Sequence, residues 1–238
     1  MIGTLLNTAA IIAGSLLGIF LGQHLSEKVR DTIINGLGLF TLAYGLMTFL
    51  GTSNPLVPLG GLLVGALLGE WWKIEEGLEK LGKLLRRAFL KKDTTQKHQT
   101  HFVEGFVSAS LVFIIGPMAI LGSVQNGLTG EYELLAIKSI LDGFASIAFA
   151  SLLGIGVAFS ALSILIYQGS ITLLSRYFSQ ILSDAMVSEM TAVGGLILMA
   201  IAISSLLSIK KIRTGSYLPA LLVTPLIVLF LEHFFGGY

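Results

Sequence analysis

Long apolar segments separated by short polar breaks run along almost the whole chain. Their lengths lie near the roughly 20 residues that an α-helix needs to cross a ~30 Å hydrocarbon core. The pattern therefore predicts an all-α polytopic membrane protein with about eight transmembrane helices. The fifth segment is the most polar, and seven spans remain if it is broken or re-entrant. The predicted spans lie near residues 2–22, 31–50, 55–72, 103–123, 137–153, 155–176, 187–208 and 216–235.

The composition agrees with a membrane protein. The 238 residues are 54% hydrophobic and only 12% charged, with a mean hydropathy of +0.85, whereas soluble domains carry roughly 25% charged residues. The net charge of +1 says nothing about nucleic acid, because the charged residues lie in a few loops. The chain has no cysteine, which excludes disulfides and thiolate metal sites. We expect the lipid bilayer and a small solute or ion as partners, and no nucleic acid.

Basic residues predict the orientation, because short loops rich in Lys and Arg stay in the cytoplasm. The densest basic cluster lies within residues 80–92, and smaller ones lie at 28–30 and 210–213. All three fall inside in an eight-span topology with both termini outside. This predicts a multi-pass membrane protein, and the bacterial plasma (inner) membrane as its location is what the family resemblance given below implies. Leucines alternate with charged residues at helical spacing in 74–92, which predicts an amphipathic helix on the cytoplasmic face.

One stretch of sequence occurs twice. LSEKVRDTIINGLGLFTLA at 25–43 returns in altered form 157 positions later as LSDAMVSEMTAVGGLILMA at 182–200. In the eight-span topology the two three-span units run in opposite directions, so the repeat is inverted, as in many transporters. The predicted division is a first repeat unit at 1–73, a cytoplasmic amphipathic helix and linker at 74–102, a central broken or polar helix pair at 103–153, and a second, inverted repeat unit at 154–238.

Glycines recur at every fourth residue in the first and third spans, so each trio lies on one helix face. Small residues at this spacing let helix backbones approach closely. We favour static packing, and the alternative is a smooth surface for a moving element or a dimer interface. The helix-packing glycines are Gly14, Gly18, Gly22, Gly61, Gly65 and Gly69.

Lys138 and Asp142 are four residues apart, so they share a helix face and can neutralise each other. A charge near the bilayer centre costs about 2.5 to 3.5 kcal/mol. The pair therefore indicates either a functional site or a salt bridge at the outer membrane boundary. Gly116–Pro117 predicts a break in the fourth span, because proline removes a helical hydrogen bond. Such breaks expose backbone groups that bind ions or solutes, and the alternative is an ordinary kink before a loop.

Further polar residues complete a candidate substrate or ion site, although hydrogen bonding between helices is the commoner use of such side chains. Phosphate-binding loops, nucleophile elbows and metalloprotease motifs are missing from the sequence. We therefore expect no enzymatic activity, no metal site and no cofactor. The candidate binding residues are Asn7, Gly116, Pro117, Gln125, Asn126, Lys138, Asp142, Ser146 and Gln168.

Three motifs carry a family resemblance: GTLLN at 3–7, GPMAILGSVQNGLTGE at 116–131 and KSILDGFASIAFASLLGIGVAFSAL at 138–162. With them the chain resembles, over almost its whole length, the bacterial YdfK-like family of integral membrane proteins, known as domain of unknown function 554. The resemblance implies a membrane or transport protein and names no substrate. Our hypothesis is a secondary transporter that works by alternating access, as a homodimer. The alternatives are a dimeric ion channel and a non-transporting membrane scaffold.

Overall fold

The computed structural model describes residues 1–22, 24, 26–89 and 96–235, and this part of the chain consists of helices joined by short loops, without a β-strand. The all-α prediction is confirmed. Capping side chains in the sequence fix where some of the helices begin. The Ser183 side chain, for example, accepts the backbone N–H of Met186 and caps the helix that follows. The helices are α1 (Ile2–Gly22), α2 (Glu27–Phe49), α3 (Leu56–Trp71), α4 (Ile74–Phe89), α5 (Gln96–Ile114), α6 (Pro117–Leu128), α7 (Glu133–Leu153), α8 (Gly156–Leu173), α9 (Ser175–Ile181), α10 (Asp184–Ile201) and α11 (Ala220–Phe235).

The helix lengths support six to seven membrane crossings. Within the described residues, six helices are long and apolar enough to span, and α5 with α6 forms a seventh candidate that is bent by 64°. Helix α3 is apolar but has only 16 residues, which cover about 24 Å. The described residues thus give six or seven candidates against the predicted total of about eight, and the segment predicted at 55–72 is the shorter helix α3.

The predicted central pair of spans is broken in its first member only. Helix α5 ends at Ile114 and α6 begins at Pro117, with Gly116 between them at φ 130°. That conformation is accessible to glycine and strained for other residues. The second member, predicted at 137–153, lies within the continuous helix α7. The α5–α6 break is therefore where the Gly-Pro pair predicted it, and the re-entrant alternative for the fifth span does not arise.

The chain forms two compact units. Unit 1 comprises Met1–Ile34 and Glu79–Gln180, and unit 2 comprises Asn35–Leu78 and Ile181–Tyr238. The boundaries fall inside α2 and α4 and before the last residue of α9. Each unit thus combines segments from both predicted repeats, and the four-part division of the sequence stays a prediction.

In unit 1, helices α1 and α7 run parallel with their backbones in direct contact. A Cβ atom added to Gly14, Gly18 or Gly22 would overlap the carbonyl oxygens of Gly143, Ile147 and Ser151, respectively. Residue numbers rise together along both helices, which fixes the parallel direction. The first glycine trio therefore packs inside its own unit.

Helix α8 runs in the opposite direction to α1 and in the same direction as α5. The hydroxyls of Thr4 and Thr172 lie 3.3 Å apart, and further along the pair Asn7 meets Gln168. Between α5 and α8, the Ser110 hydroxyl donates to the Ser163 hydroxyl at 2.9 Å.

In unit 2, helices α3 and α11 pack antiparallel through the second glycine trio. A Cβ at Gly65 would overlap the backbone of Ala220, and one at Gly69 would overlap the carbonyl oxygen of Ser216. A Cβ at Gly61 would overlap the side-chain hydroxyl of Thr224. This trio too is covered within its own unit.

Helix α2 is antiparallel to α10, and their contacts follow the sequence repeat. A Cβ at Gly38 would lie 3.3 Å from the Cβ of Leu206, and a Cβ at Gly195 would lie 2.7 Å from the backbone nitrogen of Phe49. With the repeat offset of 157 positions, Gly38 is equivalent to Gly195 and Phe49 is equivalent to Leu206. The two contacts are thus equivalent under the repeat.

At one end of unit 2, two glutamates accept hydrogen bonds from the loop before α11. Arg213 pairs with Glu70 at 2.6 Å, and the Ser216 hydroxyl donates to the same carboxylate at 2.7 Å. The backbone N–H of Gly215 donates to Glu75, the second residue of α4, at 2.6 Å. The basic segment at 210–213 and the start of the amphipathic helix therefore lie at the same end of this unit.

Candidate functional site

A buried ion pair lies at the middle of α7. The Lys138 ammonium donates to both oxygens of Asp142, at 2.9 Å to Oδ1 and 2.7 Å to Oδ2, and the two side chains are only 7% and 10% exposed. The spacing of four residues predicted this contact. Asp142 is the tenth of the 21 residues of α7, so the pair is not at the end of the helix.

An amide side chain from α1 links the acid to a second amide on α8. The Nδ2 group of Asn7 on α1 donates to Asp142 Oδ2 at 3.0 Å and to Gln168 Oε1 on α8 at 3.3 Å. Both amides are completely buried. One amide group of α1 therefore connects the carboxylate on α7 with the amide on α8.

This group has unused hydrogen-bonding capacity. Asn7 Oδ1, Gln168 Nε2 and the hydroxyl of Ser146, one turn after Asp142, are buried without a hydrogen-bond partner among the described residues. Ser146 faces α1, because a Cβ at Gly14 would lie 3.1 Å from its Cβ. We call Asn7, Lys138, Asp142, Ser146 and Gln168 the central polar cluster.

The α5–α6 break lies level with this cluster. Before the break, on α5, the ring of Phe113 is 6.3 Å from that of Phe149 on α7. After the break, on α6, a Cβ at Gly122 would lie 3.0 Å from Cγ of Leu135 on α7. Asp142 is midway between Leu135 and Phe149, and the break falls between Phe113 and Gly122. The contacts made before and after the break thus bracket Asp142 along α7.

The other predicted amides lie elsewhere. Gln125 donates to Glu131 at 2.7 Å near the end of α6, and Asn126 Nδ2 donates to the carbonyl oxygens of Gly130 and Glu131. These bonds close the loop between α6 and α7. Gly116 belongs to the break itself, and Pro117 is the first residue of α6. Of the nine candidate residues, the structure brings five together in the central polar cluster.

Sequence reasoning missed Glu189 on α10. This glutamate is fully buried in unit 2, and its carboxylate accepts hydrogen bonds from Thr52 and Ser53. The available signal was an isolated acid inside a predicted span, since ionisable residues at membrane depth are rare and functional by default.

Comparison with known proteins places this architecture in a family. The family model "Protein of unknown function (DUF554)" matches residues 2–229. The chain is 32% identical over 240 residues to "Uncharacterized membrane protein YdfK" of Bacillus subtilis (strain 168), covering 99% of each chain. It is 29% identical over 223 residues to "Uncharacterized protein YqgA" of Escherichia coli (strain K12), covering 94% of each. No solved structure matches the chain.

Proposed function

We propose that this chain, which belongs to the DUF554 family, is a secondary transporter of the bacterial plasma membrane. It moves a small polar solute or ion by alternating access. One observation carries the proposal: the central polar cluster keeps donors and acceptors free at the depth of a broken helix. Broken helices beside buried polar side chains are the usual construction of transporter sites.

The energetic cost of the free groups supports a ligand. A buried polar atom without a hydrogen bond costs about 1 to 3 kcal/mol, and the cluster contains three such atoms. A cluster with a purely structural role would pair them or replace them with apolar groups. A solute that carries both a donor and an acceptor would satisfy Asn7 Oδ1 and Gln168 Nε2 together.

The charges indicate the class of solute that the site favours. Lys138 and Asp142 cancel each other, so the cluster has no net charge. A solute with an excess charge would remain unbalanced in a medium of low dielectric constant. A neutral or zwitterionic molecule is therefore favoured over a simple ion.

The helix contacts support the inverted repeat that alternating access requires. Helices α1, α2 and α3 of the first predicted repeat pack antiparallel to α8, α10 and α11 of the second, each against its own counterpart. Asn7 and Gln168 meet across the first of these pairs. Transporter sites commonly lie at such a repeat interface.

A binding screen with a matched control tests the proposal. The purified protein is unfolded thermally with a panel of amino acids, sugars, polyols and monovalent salts. At 100 times Kd, a bound solute should raise the wild-type Tm by about 5 to 10 °C. Gln168→Leu should abolish the shift, because it removes the free donor. Gln125→Leu should retain it, because the same chemical change occurs outside the cluster. A shift that survives Gln168→Leu would contradict this site.

The proposed topology can be tested by cysteine labelling, because the chain has no cysteine of its own. In intact cells a membrane-impermeant maleimide should label Thr129→Cys, in the loop after α6. Lys80→Cys, on the amphipathic helix, should react only after the membrane is permeabilised. Both side chains are exposed. Labelling of both positions from the same side would contradict an orientation with the termini outside.

A further inference from the structure

Helix α4 packs against the rest of unit 1 along one side. A Cβ at Gly82 would lie 3.3 Å from Cγ1 of Val103 and 3.5 Å from the ring of Phe106, both on α5. Leu85, nearly one turn further along α4, is buried on the same side. The side of α4 that faces away from this contact is exposed.

The exposed side of α4 carries an apolar strip. Leu84 is 64% exposed and Leu81 is 43% exposed, and Ala88 is exposed as well. Spacings of three and four residues place all three on one face of the helix. Exposed apolar residues on one face of an amphipathic helix are typical of a helix that lies in the membrane interface.

Two basic residues border this strip. Lys80 and Arg87 are exposed and lie seven residues apart, so they share one side of the helix, next to Leu84. Among the described residues neither forms an ion pair or a hydrogen bond, whereas Lys83 pairs with Glu79 at 3.2 Å. The strip is therefore flanked by two positive charges that the described part of the chain does not balance.

The contact with α5 places this part of α4 at the edge of the membrane. The section of α5 that is apolar enough to enter a bilayer begins at His101, two residues before Val103. Gly82 therefore meets α5 where the span begins. At this level the hydrocarbon core gives way to the headgroups, and basic side chains can bury their stems while their charges stay among the headgroups.

We propose that the outer face of α4, formed by Lys80, Leu81, Leu84, Arg87 and Ala88, binds anionic phospholipids of the membrane surface. The leucines enter the interface, and the two cations pair with phosphate groups. Anionic lipid is preferred to zwitterionic lipid, because only a net negative charge balances Lys80 and Arg87. The site lies within unit 1 and does not depend on the proposed transport activity.

A tryptophan on this face can report which lipid touches it. The native tryptophans, Trp71 and Trp72, are first replaced with phenylalanine, and Leu84→Trp is then introduced. The protein is reconstituted into vesicles of phosphatidylcholine and phosphatidylglycerol, with brominated acyl chains on one lipid or the other. Bromine quenches fluorescence only at close range, so the two quenching curves give the relative affinity of the face for the two lipids.

The reporter protein should prefer phosphatidylglycerol about fivefold or more, because each basic residue near an anionic surface contributes about a fivefold preference. Lys80→Gln combined with Arg87→Gln should bring the two affinities close to equality. Lys210→Gln combined with Lys211→Gln is the matched control. It makes the same change in charge at two exposed residues of the loop after α10, and it should retain the preference.

High salt provides a second measurement that needs no change to the basic residues. At about 1 M salt the Debye length falls to about 3 Å, so the preference for phosphatidylglycerol should largely disappear. Equal affinities at low salt, or a preference that survives high salt or Lys80→Gln with Arg87→Gln, would overturn the proposal. A reporter that neither brominated lipid quenches would show that this face lies in water, away from the membrane, and would overturn it too.

Discussion

Replacement of either member of the buried ion pair should destabilise the protein severely, because it leaves the other charge without compensation. Lys138→Met leaves Asp142 with only the Asn7 amide, and Asp142→Leu leaves a buried ammonium ion. Each change should lower the free energy of unfolding by about 3 to 5 kcal/mol, the usual cost of breaking a buried pair. Equilibrium unfolding in detergent micelles measures this loss.

The double variant separates the charge effect from packing. Lys138→Met combined with Asp142→Leu removes both charges and keeps similar side-chain volumes. We expect it to be within about 1 kcal/mol of the wild type, since replacing an entire buried pair with apolar groups is often neutral. Additive losses in the double variant would contradict this account. A stable double variant that no longer binds the solute would identify the pair as functional.

Replacement of Gly18 with leucine should prevent unit 1 from folding. A Cβ at this position would overlap the carbonyl oxygen of Ile147 on α7. A backbone atom inside a helix cannot move away as a side chain can, so the cost should exceed the 1 to 3 kcal/mol that is typical of overpacking. We expect loss of most of the folded protein in size-exclusion chromatography after membrane extraction.

Gly36→Leu is the matched control. Gly36 lies on α2, another candidate span, and a Cβ there would meet no atom within 4 Å. The same substitution should leave the folded yield unchanged, because the larger side chain points into open space. Equal yields from the two variants would show that the close contact between α1 and α7 does not hold unit 1 together.

Features that depend on neighbouring residues could be read from the sequence. The spacing of four predicted the contact between Lys138 and Asp142, because residues at this spacing are adjacent on any helix. The Gly-Pro pair predicted the break between α5 and α6. The glycine trios predicted close backbone packing, and the all-α class followed from apolar length alone.

Features that depend on tertiary contacts could not be read in this way. Nothing local indicates that Asn7 bonds both Asp142 and Gln168, whereas Gln125 and Asn126, which have the same amide chemistry, bind the adjacent loop. Which amide side chains lie beside the ion pair depends on how α1 packs against α7 and α8. The two compact units likewise follow from which helices pack together, and the order of segments along the sequence does not reveal them.

The central claim is that solute crosses the membrane through the central polar cluster, and flux through reconstituted protein tests it most directly. Proteoliposomes containing wild type, Gln168→Leu or Gln125→Leu are given the solute that stabilises the wild type. The account predicts uptake by wild type and Gln125→Leu, and at least a tenfold loss for Gln168→Leu. No uptake by folded wild type for any solute or ion of the panel, or uptake that Gln168→Leu leaves intact, would contradict it.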